Sequence, residues 1–300
     1  MTSEDKPLAG KRIGIVGKGG AGKSTVTVLM ANALRERRYE VCILDADSTN
    51  IGLHEALGLA SSPSSLIDYF GGMVFSGGSV TCPVDDPTPL PDANLSLNQI
   101  SDEYYAQNQE GIMLLTAGKI GDLGPGAGCD GPINKIARDV KIFMEGSNPI
   151  TLVDFKAGFE DSSRGAITSL DWVLVIVDPT HASIQMAIHM KEMVRLLKAG
   201  VPPATEHLES HELVEIARTL FRETRVREVL AILNRVRDVE MEDYMRDKLT
   251  QGGVEPIGVV RETPSITSAW LKGIPFNEPR LREEAEAIIT ALERAEVIRS

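Results

Sequence analysis

Cysteine is scarce: Cys42, Cys82 and Cys129 are the three in 300 residues, an odd number at wide spacing. Such a set excludes a disulfide framework and suits a reducing compartment. Long apolar runs are also missing. None approaches the ~20 residues that span a bilayer, and the longest, around Val173–Val177, reads as a buried strand. Met1–Arg12 is polar and lacks the apolar stretch of a secretory leader. Positive charge is in deficit, with 31 Lys and Arg against 43 Asp and Glu, a net −12. Phosphate backbones select for cations, so non-specific nucleic-acid binding is excluded. There is no internal repeat and no low-complexity tract. These absences predict a cytoplasmic chain with no nucleic-acid partner and no stable membrane anchor.

What is present is ordinary globular material, 42% apolar and 25% charged. Short β-branched runs alternate with amphipathic stretches. Gly10–Gly17, Tyr39–Asp45, Met113–Thr116, Ile150–Asp154, Trp172–Asp178, Glu228–Asn234 and Pro256–Val260 read as strands. Ala21–Arg35, Pro132–Met144, Ala182–Ala199, Val239–Thr250 and Arg280–Ile298 read as helices. Continuous apolar strands separated by helices predict an α/β fold, a mostly parallel central sheet with helices on both faces. Ligands then gather at the carboxyl ends of the strands. We expect one domain over residues 1–300, with a variable surface excursion at about 71–110 and a peripheral helical addition at about 202–227.

Between the first strand and first helix lies Gly17-Lys18-Gly19-Gly20-Ala21-Gly22-Lys23-Ser24-Thr25, which fits the P-loop pattern. Glycines let successive backbone N–H groups converge on phosphate oxygens, and the following helix adds its positive end. Lys23 is expected to reach the β- and γ-phosphates of ATP, and the Ser24 hydroxyl to ligate Mg²⁺. Lys18 adds a second cation to a loop already rich in donors, which an anion would neutralise. Asp45, Asp47 and Asp154 end strands on the same rim. We assign Asp47 to positioning the attacking water, and Asp45 and Asp154 to the hydration shell of the metal. Each carboxylate taken alone also fits a helix N-cap. Asn234 has the donor and acceptor to pair with an adenine edge, and equally suits a turn. Arg261–Pro264 is expected to close over the base.

These motifs resemble the MinD/ParA/nitrogenase-iron-protein superfamily of deviant Walker-A ATPases. Leu44–Asn50 matches its first switch, continued by His54–Gly58, and Val153–Gly158 its Walker-B and second switch. Ile232–Arg235 falls where its base-recognising asparagine sits, which places Asn234 and Arg235 at the nucleotide. The resemblance implies an ATP-hydrolysing homodimer, formed on ATP binding, in which Lys18 crosses to the partner's nucleotide. Leu66–Phe70, Gly118–Gly121 and Gly126–Pro132 resemble the CooC-type nickel-insertion ATPases of carbon monoxide dehydrogenase maturation. That implies a client metalloenzyme, and Cys129 as a nickel or iron–sulfur ligand at a dimer interface. The CooC-type motif carries Cys-x-Cys-Pro, whereas Gly131 stands in the second cysteine's place here. One thiolate per subunit gives only two across a dimer, against the four ligands of a tetrahedral site. A MinD/ParA-like positioning ATPase and a biosynthetic P-loop enzyme are the alternative functions.

Other features read as structural. His207 and His211 are expected on one helix face, but Leu208 follows the first histidine, so no zincin pattern forms. Met186, Met190 and Met193 are expected to face the core. Glu283, Glu284 and Glu286 make the C-terminal helix acidic, the wrong sign for an anionic membrane surface.

Overall fold

The computed structural model describes residues 6–74, 77–119, 130–158, 165–201, 203–208, 210–276 and 278–299. Ten strands are seen among them: β1 Arg12–Gly17, β2 Val41–Ala46, β3 Asn94–Ser96, β4 Ala106–Gln107, β5 Ile112–Thr116, β6 Lys141–Phe143, β7 Ile150–Phe155, β8 Trp172–Val177, β9 Glu228–Val236 and β10 Glu255–Arg261. Eight form one sheet in the order β10-β9-β8-β1-β7-β2-β5-β4. Its pairings are parallel except for β4, which runs antiparallel along β5.

Alternating side chains of the central strands enter opposite cores. In β2, Ile43 packs beside Met30, Leu152 and Leu174, whereas Cys42 and Leu44 pack with Leu115, Val153 and Val175. Both parities are apolar because helices cover both faces. Lys23–Glu36 and Pro279–Arg299 lie on one face; Gly131–Asp139 and His181–Lys198 lie on the other.

Two departures from the sequence pattern have clear causes. The helix expected over 132–144 stops at Asp139. The buried Arg12 guanidinium donates to Ala137 O at 2.6 Å and to Val140 O, satisfying carbonyls at the helix end. Lys141–Phe143 then pairs with Asn94–Ser96 as a two-stranded parallel sheet. The excursion at 71–110 is not confined to the surface. Met73, Val80, Leu90, Leu95, Leu97 and Ile100 are buried in the core beneath it. Lys135 fastens this stretch, with Nζ 3.0 Å from Thr81 Oγ1 and 2.9 Å from Asp86 O.

In the 202–227 region the helix His211–Arg222 is capped by Ser210 and buries Ala217. His207 precedes that helix, so it shares no helix face with His211. Its ring instead meets Val84 O at 2.8 Å. Met190 is buried in the core as expected.

Candidate nucleotide site

The P-loop leaves β1 at Gly17, whose φ is +153°. A Cβ there would lie 2.7 Å from Ile176 O on the adjacent strand, so the close approach of loop and sheet requires glycine. Gly22, at φ +92°, caps the helix Lys23–Glu36 without any side-chain hydrogen bond to its first turn. The helix N-terminus thus presents free N–H groups and its positive end to the loop. A side chain at Gly22 would collide with the Asn234 amide.

Lys23 is buried at the start of this helix, Lys18 is half-buried, and Gly19 and Gly20 are exposed. Two cavities adjoin the loop. One of about 260 Å³ is lined by Gly20, Gly22, Lys23, Ser24, Asp47 and Asn50, among others. The second, of about 420 Å³, is lined by Asn234, Arg261, Thr263, Ile266 and Thr267. Thr25, Arg235 and Trp270 line both. A phosphate chain fits the donors of the first. The second has the apolar wall and scattered polar groups that a purine and its ribose require.

Across from the loop, Asp45 and Asp154 are register partners on β2 and β7, and both are buried. Burial pushes the Asp45 carboxyl up to about 6, against the pull of Lys119. Burial, and then the neighbouring Asp45 charge, push Asp154 up to about 7 against Ser24 and Lys23. Both Asp154 carboxylate oxygens are buried with no hydrogen-bond partner among the described residues. Such an orphaned pair of oxygens beside a serine hydroxyl is a donor set for a hard, hydrated divalent cation. The chemistry of Ser24, Asp45 and Asp154 therefore suits a hydrated Mg²⁺, which these oxygens would hold directly or through water.

Asp47 immediately follows β2. Its Oδ1 accepts from Thr49 N at 2.9 Å and from Thr49 Oγ1 at 2.7 Å. Asn234 lines the base-sized cavity, yet its Nδ2 donates to Ala21 O at 2.6 Å. One N–H of that amide braces the P-loop, and the group carries a second N–H and an acceptor oxygen besides. Arg261, Glu262 and Thr263 line this cavity together with Ile266, Thr267 and Trp270 of the helix Pro264–Lys272.

Three contributors escape sequence reasoning. The Trp270 indole N–H donates to Thr25 Oγ1 at 2.9 Å, fixing the last P-loop hydroxyl. Asn50 Nδ2 donates to Ser24 Oγ at 2.9 Å. Lys119 Nζ donates to Asp45 Oδ2 at 2.6 Å and to Asp47 O at 2.7 Å. Trp270 carries no motif, whereas Asn50 closes the Leu44–Asn50 segment without any sign there of its contact with Ser24. Lys119 lies within the CooC-like Gly118–Gly121 segment, the one signal that marked its neighbourhood.

Cys129 lies outside the described residues. Cys42 is buried in mid-strand, where burial pushes its thiol far up. Cys82 packs directly against Gly131, two positions along the chain from Cys129. Among the described residues there is no group of three or more His, Cys, Asp or Glu side chains placed to hold a metal ion. Nor is any described helix long and apolar enough to cross a membrane.

The model of the CobQ/CobB/MinD/ParA nucleotide binding domain matches residues 15–276. An uncharacterized ATP-binding protein of Methanocaldococcus jannaschii is 32% identical over 184 residues, 61% of this chain and 72% of that protein. The carbon monoxide dehydrogenase accessory protein CooC of Rhodospirillum rubrum is 26% identical over 185 residues, 61% of this chain and 69% of that one. The septum site-determining protein MinD of Pyrococcus horikoshii, solved with Mg-ADP, is similar at a TM-score of 0.59 and 18% identity. The match spans 97% of this chain and 98% of that structure, a likeness of fold.

Proposed function

From the premise that this chain belongs to the CobQ/CobB/MinD/ParA nucleotide-binding family, we propose that it is a magnesium-dependent ATPase whose ATP-bound form dimerises and assists a metalloenzyme, by metal insertion or electron delivery. Lys23 and the loop amides take the phosphates, and Ser24 takes the metal. Asp47 orients the attacking water, while Asp45 and Asp154 order the metal's hydration shell. Lys18 is the cation that reaches the partner's nucleotide. Trp270, Arg235 and the carbonyl side of Asn234 frame the base.

The observation that carries this reading is the unpartnered Asp154 carboxylate facing the P-loop, beside the buried Lys23 and the Ser24 hydroxyl. A buried carboxylate with neither oxygen satisfied is costly unless a ligand completes it. The metalloenzyme client rests on the 26% identity to CooC and on the Gly-rich segment bearing Cys129. The transported metal, nickel or an iron–sulfur unit, is cargo in this scheme, and Cys129 is its proposed ligand.

Calorimetry with Mg-ATP, followed by size-exclusion chromatography with light scattering, tests the switch. We expect saturable binding and a doubling of mass with ATP under conditions that block hydrolysis. Absence of adenine-nucleotide binding would overturn the reading. Anaerobic metal analysis of the wild type and Cys129→Ala tests the cargo. Neither nickel nor iron above background would leave the switch without its metal role.

A further inference from the structure

Lys119 is mostly buried, with 17% of its side chain exposed, and it grips two groups of the first switch, the Asp45 carboxylate and the Asp47 carbonyl. Nearby, the Ser24 hydroxyl accepts the Asn50 amide. Two of the oxygens that a hydrated Mg²⁺ would engage are thus held by N–H donors of the chain itself. Asp154, the third, has none.

We infer that Lys119 is a tethered cation that competes with magnesium at Asp45, and so acts as a positioning residue of the first switch. This rests on the magnesium-nucleotide reading above and deepens it. A carboxylate already neutralised by an ammonium at 2.6 Å attracts a second cation weakly, and the ammonium repels that cation directly. Magnesium must therefore displace Lys119 from Asp45 or bind beside it at a disadvantage. A triphosphate removes the disadvantage, because it brings the metal with it and offers the ammonium another anion.

The position of Lys119 gives this exchange a consequence. Lys119 immediately precedes residues 120–129, and Asp130 immediately follows them. Asp130 Oδ1 accepts from Ser48 Oγ in the same switch, and its Oδ2 accepts from Lys156 Nζ at 2.6 Å. Both flanks of the stretch that carries Cys129 are therefore pinned to switch residues. Exchange of ammonium for magnesium at Asp45 releases one of the two pins.

The test uses the full chain without nucleotide, titrated with MgCl₂ and followed by thermal unfolding. Wild type and Lys119→Arg are expected to respond weakly. Lys119→Met is expected to bind Mg²⁺ at least about tenfold more tightly, and Asp45→Asn to abolish that gain. Should Lys119→Met fold poorly, Lys119→Gln removes the same charge with less change in polarity. A charge-free variant that folds yet responds to Mg²⁺ no more than wild type would overturn the competition. Calorimetric binding of Mg-ATP, measured in parallel, separates the two ideas. Its presence beside a null Mg²⁺ result sinks only the competition, whereas its absence in wild type sinks the nucleotide reading.

Discussion

The Cys82 side chain fills the space that a side chain at position 131 would need. A Cβ on Gly131 would lie 2.6 Å from Cys82 Sγ and 3.0 Å from its Cα. The CooC-type motif has a cysteine at this place, so one thiol-bearing residue excludes the other. Backbone and Cβ atoms are involved as well as the sulfur, so rotation of the Cys82 side chain does not relieve the clash. Gly131→Ala is expected to destabilise the fold by about 1–3 kcal/mol, the usual range for overpacking a filled core. Urea unfolding measures it, and a cost below ~0.5 kcal/mol would show that the two segments do not pack this tightly.

Lys23 and Lys18 sit in one loop but should fail differently. Lys23 is buried at the head of its helix, whereas Lys18 is half-buried. Lys23→Ala should weaken Mg-ATP binding by at least about a hundredfold. The ATP-induced rise in stability, about 2.7 kcal/mol when ligand is at a hundred times Kd, should vanish with it. Lys18→Ala should bind ATP within about threefold of wild type yet remain monomeric in light scattering. Asp47→Ala should bind ATP and fail to release phosphate.

Trp270 offers a spectroscopic handle. The chain has two tryptophans, and Trp172 is fully buried with its indole N–H on Glu296 Oε2. Trp270 is half-buried and touches both the P-loop and the base-sized cavity. ATP should therefore change the emission of wild type and leave Trp270→Phe unchanged. Losing one hydrogen bond to Thr25 should weaken ATP binding by about three- to tenfold, or ~0.5–1.5 kcal/mol. A double-mutant cycle with Thr25→Val should recover that coupling. Equal emission changes in wild type and variant would place the nucleotide elsewhere.

How far the sequence reveals this site depends on the range of the contacts. The placement of the P-loop, Asp45, Asp47 and Asp154 is legible because each lies at or next to a strand end or opens a helix, and local pattern marks strand ends well. The parallel sheet is legible for the same reason, since runs such as Trp172–Val177 must be covered on both faces. The contacts of Lys119, Asn50 and Trp270 are not legible, because their partners lie 74, 26 and 245 positions away. The early end of the helix Gly131–Asp139 has a similar origin: Arg12, 125 positions before Ala137, supplies its cap. The burial of 71–110 escaped because its apolar residues are spaced irregularly among Gly, Pro and Asp and show no periodicity.

Asp154 makes stability depend on pH with a sign that can be worked out. Its carboxyl has an ordinary value of 3.8 and is pushed up to about 7 in the fold, by burial first and by Asp45 second. Between those values the folded chain keeps a proton that the unfolded chain has lost. The folded state binds more protons there, so stability falls as pH rises through the window. Asp45, pushed up to about 6, contributes with the same sign. Asp154→Asn removes the titration while keeping shape, so its stability relative to wild type should improve from pH 5 to pH 8. The expected widening is about 2–3 kcal/mol. Urea unfolding in EDTA without nucleotide measures it at both pH values. A difference that stays constant between them would mean Asp154 is not the strained carboxylate that its burial implies. Mg-ATP should reverse the order at pH 8, stabilising wild type more than Asp154→Asn, because only the wild type offers a charge to the metal's waters.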